Sequence, residues 1–256
     1  MPRYALKIQY DGTNYVGYQV QDNGLSIQEV LERALRRIAK VSSTTRVANT
    51  VSGRTDAGVH ALGQVVHVDF PYEIPSEGLR RGLNSILDDS IRVVAVACVS
   101  NTFHARYDAI SKTYRYIVDL NDFPNPFTRL YTLHHPYPIE IARIEEAIQA
   151  VKGTHDFTSF CSTKTQQEDK VRTVTEAAIV YQEDANHLIF TFSGNGFLYN
   201  MVRILVGTLL QIGDGIRPVS DMERLLQVRD RNLAGPTAKP EGLFLVEVVY
   251  PENIFK

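Results

Sequence analysis

A carboxylate kept ionised on a loop can serve as a nucleophile or a base. The candidate in this sequence is Asp56, within Ser52-Gly53-Arg54-Thr55-Asp56-Ala57-Gly58-Val59-His60. On propensity alone an Asp between glycines is turn chemistry. Arg54 changes that reading, because a guanidinium near a carboxylate favours its charged form. A second arginine, Arg203, lies in Phe197-Leu198-Tyr199-Asn200-Met201-Val202-Arg203-Ile204-Leu205-Val206-Gly207. A helix apolar on nearly every side is buried, and a buried guanidinium requires a partner, which structure or catalysis could equally supply. The third feature is Lys112-Thr113-Tyr114-Arg115-Tyr116, whose alternation puts Lys112, Tyr114 and Tyr116 on one strand face. Such a face packs against a core or offers a stacking platform to an unpaired base. Composition alone favours packing, and His60 reads as structural.

These residues need elements to hold them. Tyr4 to Tyr10 alternates as a strand does, and Asp11-Gly12-Thr13-Asn14 ends it with a turn. Ser26-Ile27-Gln28-Glu29 is a capping box. Ile27, Val30, Leu31, Ala34, Leu35 and Ile38 then mark one face of a helix over 27–40. Its other face carries Arg33, Arg36, Arg37 and Lys40, a solvated surface or a basic patch for an RNA stem. Strands are expected at 46–51 and 64–70, a helix at 76–86, and at 91–99 a strand buried on both faces. This β-α-β-β-α-β order is a split βαβ arrangement. Further on, the pattern predicts strands at 113–120, 171–181, 187–193 and 243–250, and helices at 139–151, 197–212 and 221–228. The proline-rich stretch 121–138 reads as a long, stiff loop.

The expected class is therefore α+β: two split-βαβ (ferredoxin-like) halves sharing one central, largely antiparallel sheet, with helices packed on one side. Residues 1–106 would carry the Asp loop, and residues 107–256 the Tyr strand and the Arg helix. The chain has 256 residues, 44% hydrophobic and 22% charged, as in ordinary globular domains. Cys98 and Cys161 make no disulfide framework. No CxxC or HExxH spacing appears, so no metal is expected. The N-terminus lacks a signal-peptide pattern, and the most apolar segment is shorter than a membrane span of about 20 residues. A cytoplasmic protein without a membrane association is expected. The net charge of −2 and isoelectric point of about 6.4 weigh against a basic nucleic-acid-binding domain, although local fields govern binding.

Taken together, the motifs resemble the tRNA pseudouridine synthase A (TruA) family over nearly the whole chain. The resemblance is carried by Tyr10-Asp11-Gly12-Thr13, by Ser52 to Ala61, by Phe103-His104-Ala105-Arg106 and by Lys112 to Tyr116. Gly153-Thr154-His155-Asp156-Phe157, Phe197 to Arg203 and Gly242-Leu243 complete it. Departures are small: Tyr18 stands where the family often has Trp, and Lys239-Pro240-Glu241 varies a proline-rich loop. The resemblance implies that Asp56 is the catalytic aspartate and that Arg54 helps extrude the uridine. It implies that Tyr114 stacks on the target base and assists removal of its C5 proton. Arg203 would pair with the catalytic aspartate, and Leu243 would line the uracil pocket. The implied substrate is the tRNA anticodon stem-loop at positions 38, 39 and 40. The implied assembly is a homodimer that uses neither cofactor nor metal.

That chemistry is consistent with the residues. The uridine must leave its stack to be reached; its glycosidic bond breaks, the uracil turns, and C5 joins the ribose. Asp56 has two electrophilic positions open to it, uracil C6 and ribose C1′. The alternatives are a non-catalytic RNA-binding protein of the same fold, which needs neither Asp56 nor Arg203, and a hydrolase using Asp56. Glycoside hydrolysis usually employs two positioned carboxylates, and no second acid is evident near this loop.

Overall fold

The computed structural model describes residues 1–165 and 167–255. The chain divides into two compact units, Met1–Ile110 with Phe244–Lys256, and Ser111–Leu243. Both are α+β with predominantly antiparallel strand pairing.

In the first unit the alternating segment forms β1 (Arg3–Tyr10). It pairs antiparallel with β3 (His60–Asp69) on one side and β4 (Ile91–Val99) on the other. The far edge of β3 is shared. β2 (Asn49–Val51) pairs antiparallel with its Val66–Val68 end, and β10 (Leu243–Val249) pairs parallel with its start through Phe244 and Leu245. The β2–β3 connection is the loop that carries Asp56. Ser26 caps α1 (Ile27–Ala39) by accepting from the Glu29 N–H, as the capping box requires, and Lys40 ends it at φ 52°. Ile27, Leu31, Ala34 and Leu35 are buried along α1, whereas Arg33, Arg37 and Lys40 are exposed. α2 (Ser76–Asn84) buries Leu79 and Leu83.

One expectation fails here. β4 is not buried on both faces: only Ile91 and Val93 are buried, and Cys98 is exposed. Its apolar run predicts a central strand, but β4 terminates the strand order.

The second unit orders its strands β5 (Ser111–Asp119), β9 (His187–Gly194), β8 (Val171–Gln182) and β7 (Gly153–Asp156), all antiparallel. β6 (Leu133–His134), inside the proline-rich connection, adds to β5 in parallel. α3 (Ile141–Ala147) runs into a 3-10 turn, and it packs with α4 (Met201–Gly213); α5 (Asp221–Val228) follows. The α4 helix begins four residues later than the apolar run predicts. Asn200 stands at φ 62° and breaks the segment, a conformation that Asn tolerates better than most residues. Phe197, Leu198 and Tyr199 thus lie outside the helix. Along α4 only Arg203 and Gln211 escape full burial.

Candidate active site

Asp56 sits half-buried on its loop, beside buried Thr55 and exposed Arg54. The loop is pinned from beneath. Gln64 of β3 is completely buried. Its Nε2 donates to the Gly53 carbonyl (2.8 Å), and its Oε1 accepts from the Ser52 hydroxyl (2.6 Å). Tyr10, at the end of β1, shares a 2.8 Å hydrogen bond with the Thr55 hydroxyl and lies 3.4 Å from Gln64 Nε2. Burial pushes the Tyr10 phenol up to about 12, so this network stays uncharged at neutral pH. Closing the loop, the Asp56 carbonyl accepts from the Val59 N–H (3.1 Å), with Gly58 at φ 75°.

The turn after β1 fits against the same loop at van der Waals distance. A Cβ on Gly12 would stand 2.0 Å from the Val59 carbonyl oxygen, and one on Gly17, at φ 111°, would stand 2.8 Å from the Thr55 carbonyl oxygen. The Tyr18 N–H donates to that Thr55 carbonyl (3.1 Å), and the Gly58 N–H to the Tyr15 carbonyl. The Tyr10-Asp11-Gly12-Thr13 turn and the Asp56 loop are thus packed against each other. His60 is structural in this geometry. Its Nδ1 accepts from the Gly12 N–H (3.1 Å), and its ring stacks on Phe244 with centroids 4.7 Å apart.

In the second unit, Tyr114 is buried on β5 opposite Phe192 and meets Phe197 edge-on, with centroids 5.0 Å apart. The break at Asn200 is what delivers Phe197 to that contact. Arg203 donates from Nε to the Ala238 carbonyl (2.7 Å) and from Nη1 to Asn200 Oδ1 (3.1 Å). The segment 235–242 lies along α4. The Ala238 N–H donates to the Arg203 carbonyl (3.1 Å), and the Gly235 N–H donates to the Thr208 hydroxyl (3.0 Å). Gly207 permits the approach, since a Cβ there would be 2.0 Å from the Pro236 carbonyl oxygen. Buried Tyr116 holds the end of this segment through a 2.6 Å bond to the Lys239 carbonyl, and burial raises its pKa. Leu243, buried, follows directly.

Arg54 and Asp56 therefore share one loop of the first unit, while Tyr114, Arg203 and Leu243 belong to the second. Arg54 makes no ion pair among the described residues. Sequence reasoning missed Tyr10, Ser52 and Gln64 as supports of the loop. The available signal was Gln64 itself, a polar residue within a strand that is otherwise apolar around it. Among the described residues no cluster of His, Cys, Asp and Glu could hold a metal ion, and no helix is long and apolar enough to cross a membrane.

The chain matches the family model described as tRNA pseudouridine synthase over residues 7–108 and 147–251. Curated relatives match almost end to end. The tRNA pseudouridine synthase A of Latilactobacillus sakei subsp. sakei (strain 23K) is 50% identical over 248 residues, covering 97% of this chain and 98% of that protein. Those of Streptococcus gordonii (49% identical; 98% of this chain, 100% of that protein) and Ligilactobacillus salivarius (48%; 98% and 97%) are similar. Among solved structures, a Cbf5–Nop10–Gar1 complex aligns with 81% of this chain and 45% of that chain, at 11% identity and a TM-score of 0.37. That likeness is too distant to bear on function.

Proposed function

We infer, from the premise that this chain belongs to the tRNA pseudouridine synthase family and is an isomerase acting on tRNA, that its target is the anticodon stem-loop and its nucleophile Asp56. The observation that carries the assignment is the mounting of Asp56. A half-exposed carboxylate on a loop fixed by buried, neutral hydrogen bonds is preorganised for attack, because no reorganisation is needed at the moment of reaction.

In this reading the uridine is flipped out of its stack, and Arg54, exposed and without an ion pair among the described residues, helps extrude it. Asp56 adds to uracil C6 or to ribose C1′. The glycosidic bond breaks, the ring turns, and C5 bonds to C1′. The Asp56 bond breaks in turn, at C1′ as C5 displaces the carboxylate or at C6 by elimination after C5 has joined the ribose. The C5 proton leaves with assistance from the Tyr114 hydroxyl and N1 gains a proton, so Asp56 is regenerated and no atom is lost or gained overall. Arg203 serves as the cation that favours ionised Asp56, and Leu243 supplies apolar surface for uracil. Positions 38, 39 and 40 are the expected targets, no cofactor is used, and the working form is a homodimer. Family membership also supports the cytoplasmic setting expected from the sequence.

Pseudouridine mapping in unmodified tRNA treated with the purified protein tests the substrate. Conversion confined to positions 38–40 is expected; conversion elsewhere overturns the anticodon assignment. Sedimentation at micromolar concentration tests the dimer, and a monomer would remove it.

A further inference from the structure

The second unit contains an open cavity of about 440 Å³, lined by Ser162, Thr163, Arg231, Asn232, Ala234, Gly235, Pro236 and Thr237. Its chemistry is one-sided: it offers a guanidinium, three hydroxyls, an amide and backbone, and no carboxylate of the described residues lines it. Arg231 is half-buried and makes no ion pair among the described residues. Its Nη1 donates to the Gly235 carbonyl (2.9 Å) and its Nη2 to the Thr237 hydroxyl (3.2 Å). Those two contacts engage only part of a group with five N–H donors. The nearest acid in sequence, Asp230, is turned to the Asn232 N–H (2.9 Å). Burial lowers the Arg231 pKa, and no carboxylate acts to raise it.

An arginine held in a carboxylate-free polar pocket lacks its natural counter-ion. A phosphodiester fits this set of donors, since Arg binds it in a fork and hydroxyls add donors to its free oxygens. We propose that this pocket is a phosphate subsite for the backbone of the bound tRNA, with Arg231 and Thr163 as its contacts. The proposal rests on the tRNA-acting reading above. The pocket also shares Gly235, Pro236 and Thr237 with the segment that Arg203 holds through Ala238. A phosphate seated here would therefore register the RNA against the segment that leads to Leu243.

Thr163 is exposed and makes none of the hydrogen bonds found in the pocket wall, so its substitution tests the site without dismantling it. The experiment measures binding of a labelled anticodon stem-loop RNA by fluorescence anisotropy across a KCl series. Thr163→Glu is expected to weaken binding about tenfold, the scale of a lost charge-assisted hydrogen bond. It should also lower the slope of log affinity against log salt by about 0.7–0.9, as for one phosphate contact. Thr163→Gln, equal in size to Glu but neutral, should weaken binding less than Thr163→Glu and leave the salt slope closer to that of the unsubstituted protein. Arg231→Gln should show the same reduced slope, with Arg231→Lys restoring it. Equal weakening by Thr163→Glu and Thr163→Gln, or an unchanged slope in Thr163→Glu and Arg231→Gln, overturns the proposal. A pocket that takes only free phosphate is a further contrary outcome. Inorganic phosphate would then raise the Tm of the unsubstituted protein more than that of Thr163→Glu, while their RNA affinities stayed equal. Binding is read without turnover, so a protein that binds the stem-loop but isomerises nothing would refute the catalytic reading and leave this one standing.

Discussion

The two units immobilise their chemistry-bearing segments in different ways. In the first, buried side chains reach up from β1 and β3 to hold the Asp56 loop: Tyr10 on Thr55, and Gln64 on Ser52 and Gly53. In the second, segment 235–242 lies on α4 by backbone approach, over Gly207 and along Arg203 and Thr208. A side-chain network below a loop resists displacement because each member is buried and satisfied by another. A segment resting on a helix, with Pro236 and Lys239 exposed, has room to shift.

The comparison breaks most sharply at glycine. Gly12→Ala would drive a Cβ into the Val59 carbonyl at 2.0 Å, with Val59 itself buried. We expect a loss of about 3 kcal/mol or more, measured by urea unfolding, because neither side can retreat. Gly207→Ala meets the Pro236 carbonyl at the same 2.0 Å, but exposed Pro236 can move. About 1–2 kcal/mol is expected there. Equal losses would erase the distinction between the units.

Acid should act on the first unit. His67 is buried and accepts from the Ala105 N–H through Nδ1 (3.1 Å). Burial foremost, with Arg3 and His104 adding, lowers its pKa from 6.5 to about 4. The unfolded chain therefore takes up the proton first. The group's contribution is intact above about pH 6.5 and is lost as pH falls toward 4, at about 1.4 kcal/mol per unit, hence about 2 kcal/mol by pH 5. Unfolding at pH 7.5 and pH 5 checks this, and His67→Gln should flatten the difference; an unchanged pH slope in that variant would reject it.

Single hydroxyls give the smallest contrast. Tyr10→Phe strands the buried Thr55 hydroxyl and loosens Gln64, and should cost about 1–2 kcal/mol. Tyr116→Phe frees only the carbonyl of exposed Lys239, which water can satisfy, and should cost about 0.5–1 kcal/mol. Thermal denaturation of both variants would sharpen the ordering or reverse it.

Periodicity explains what was legible from the sequence. The capping box and apolar spacing of α1, the alternation of β1 and the turn residues around Asp56 are local signals, and each produced its element. β7 was missed because Gly153-Thr154-His155-Asp156 is short and polar, and becomes a strand only by pairing with Val171–Val174. The late start of α4 depends on the backbone of Asn200, which an apolar count does not register. β4 reads as a central strand because hydrophobicity reports composition, whereas strand order decides burial. The supports of the Asp56 loop are long-range: Gln64 meets Ser52 across twelve residues and Tyr10 across fifty-four. No local pattern encodes such contacts.

The central claim is that Asp56 performs the chemistry on a loop built beforehand. Its most direct test is Asp56→Asn, assayed for pseudouridine formation in tRNA alongside tRNA binding and Tm. We expect turnover to fall by at least about 10³-fold, the scale for removing a nucleophile, with affinity within a few-fold of the original and Tm little changed. Turnover at the unsubstituted rate would contradict the account.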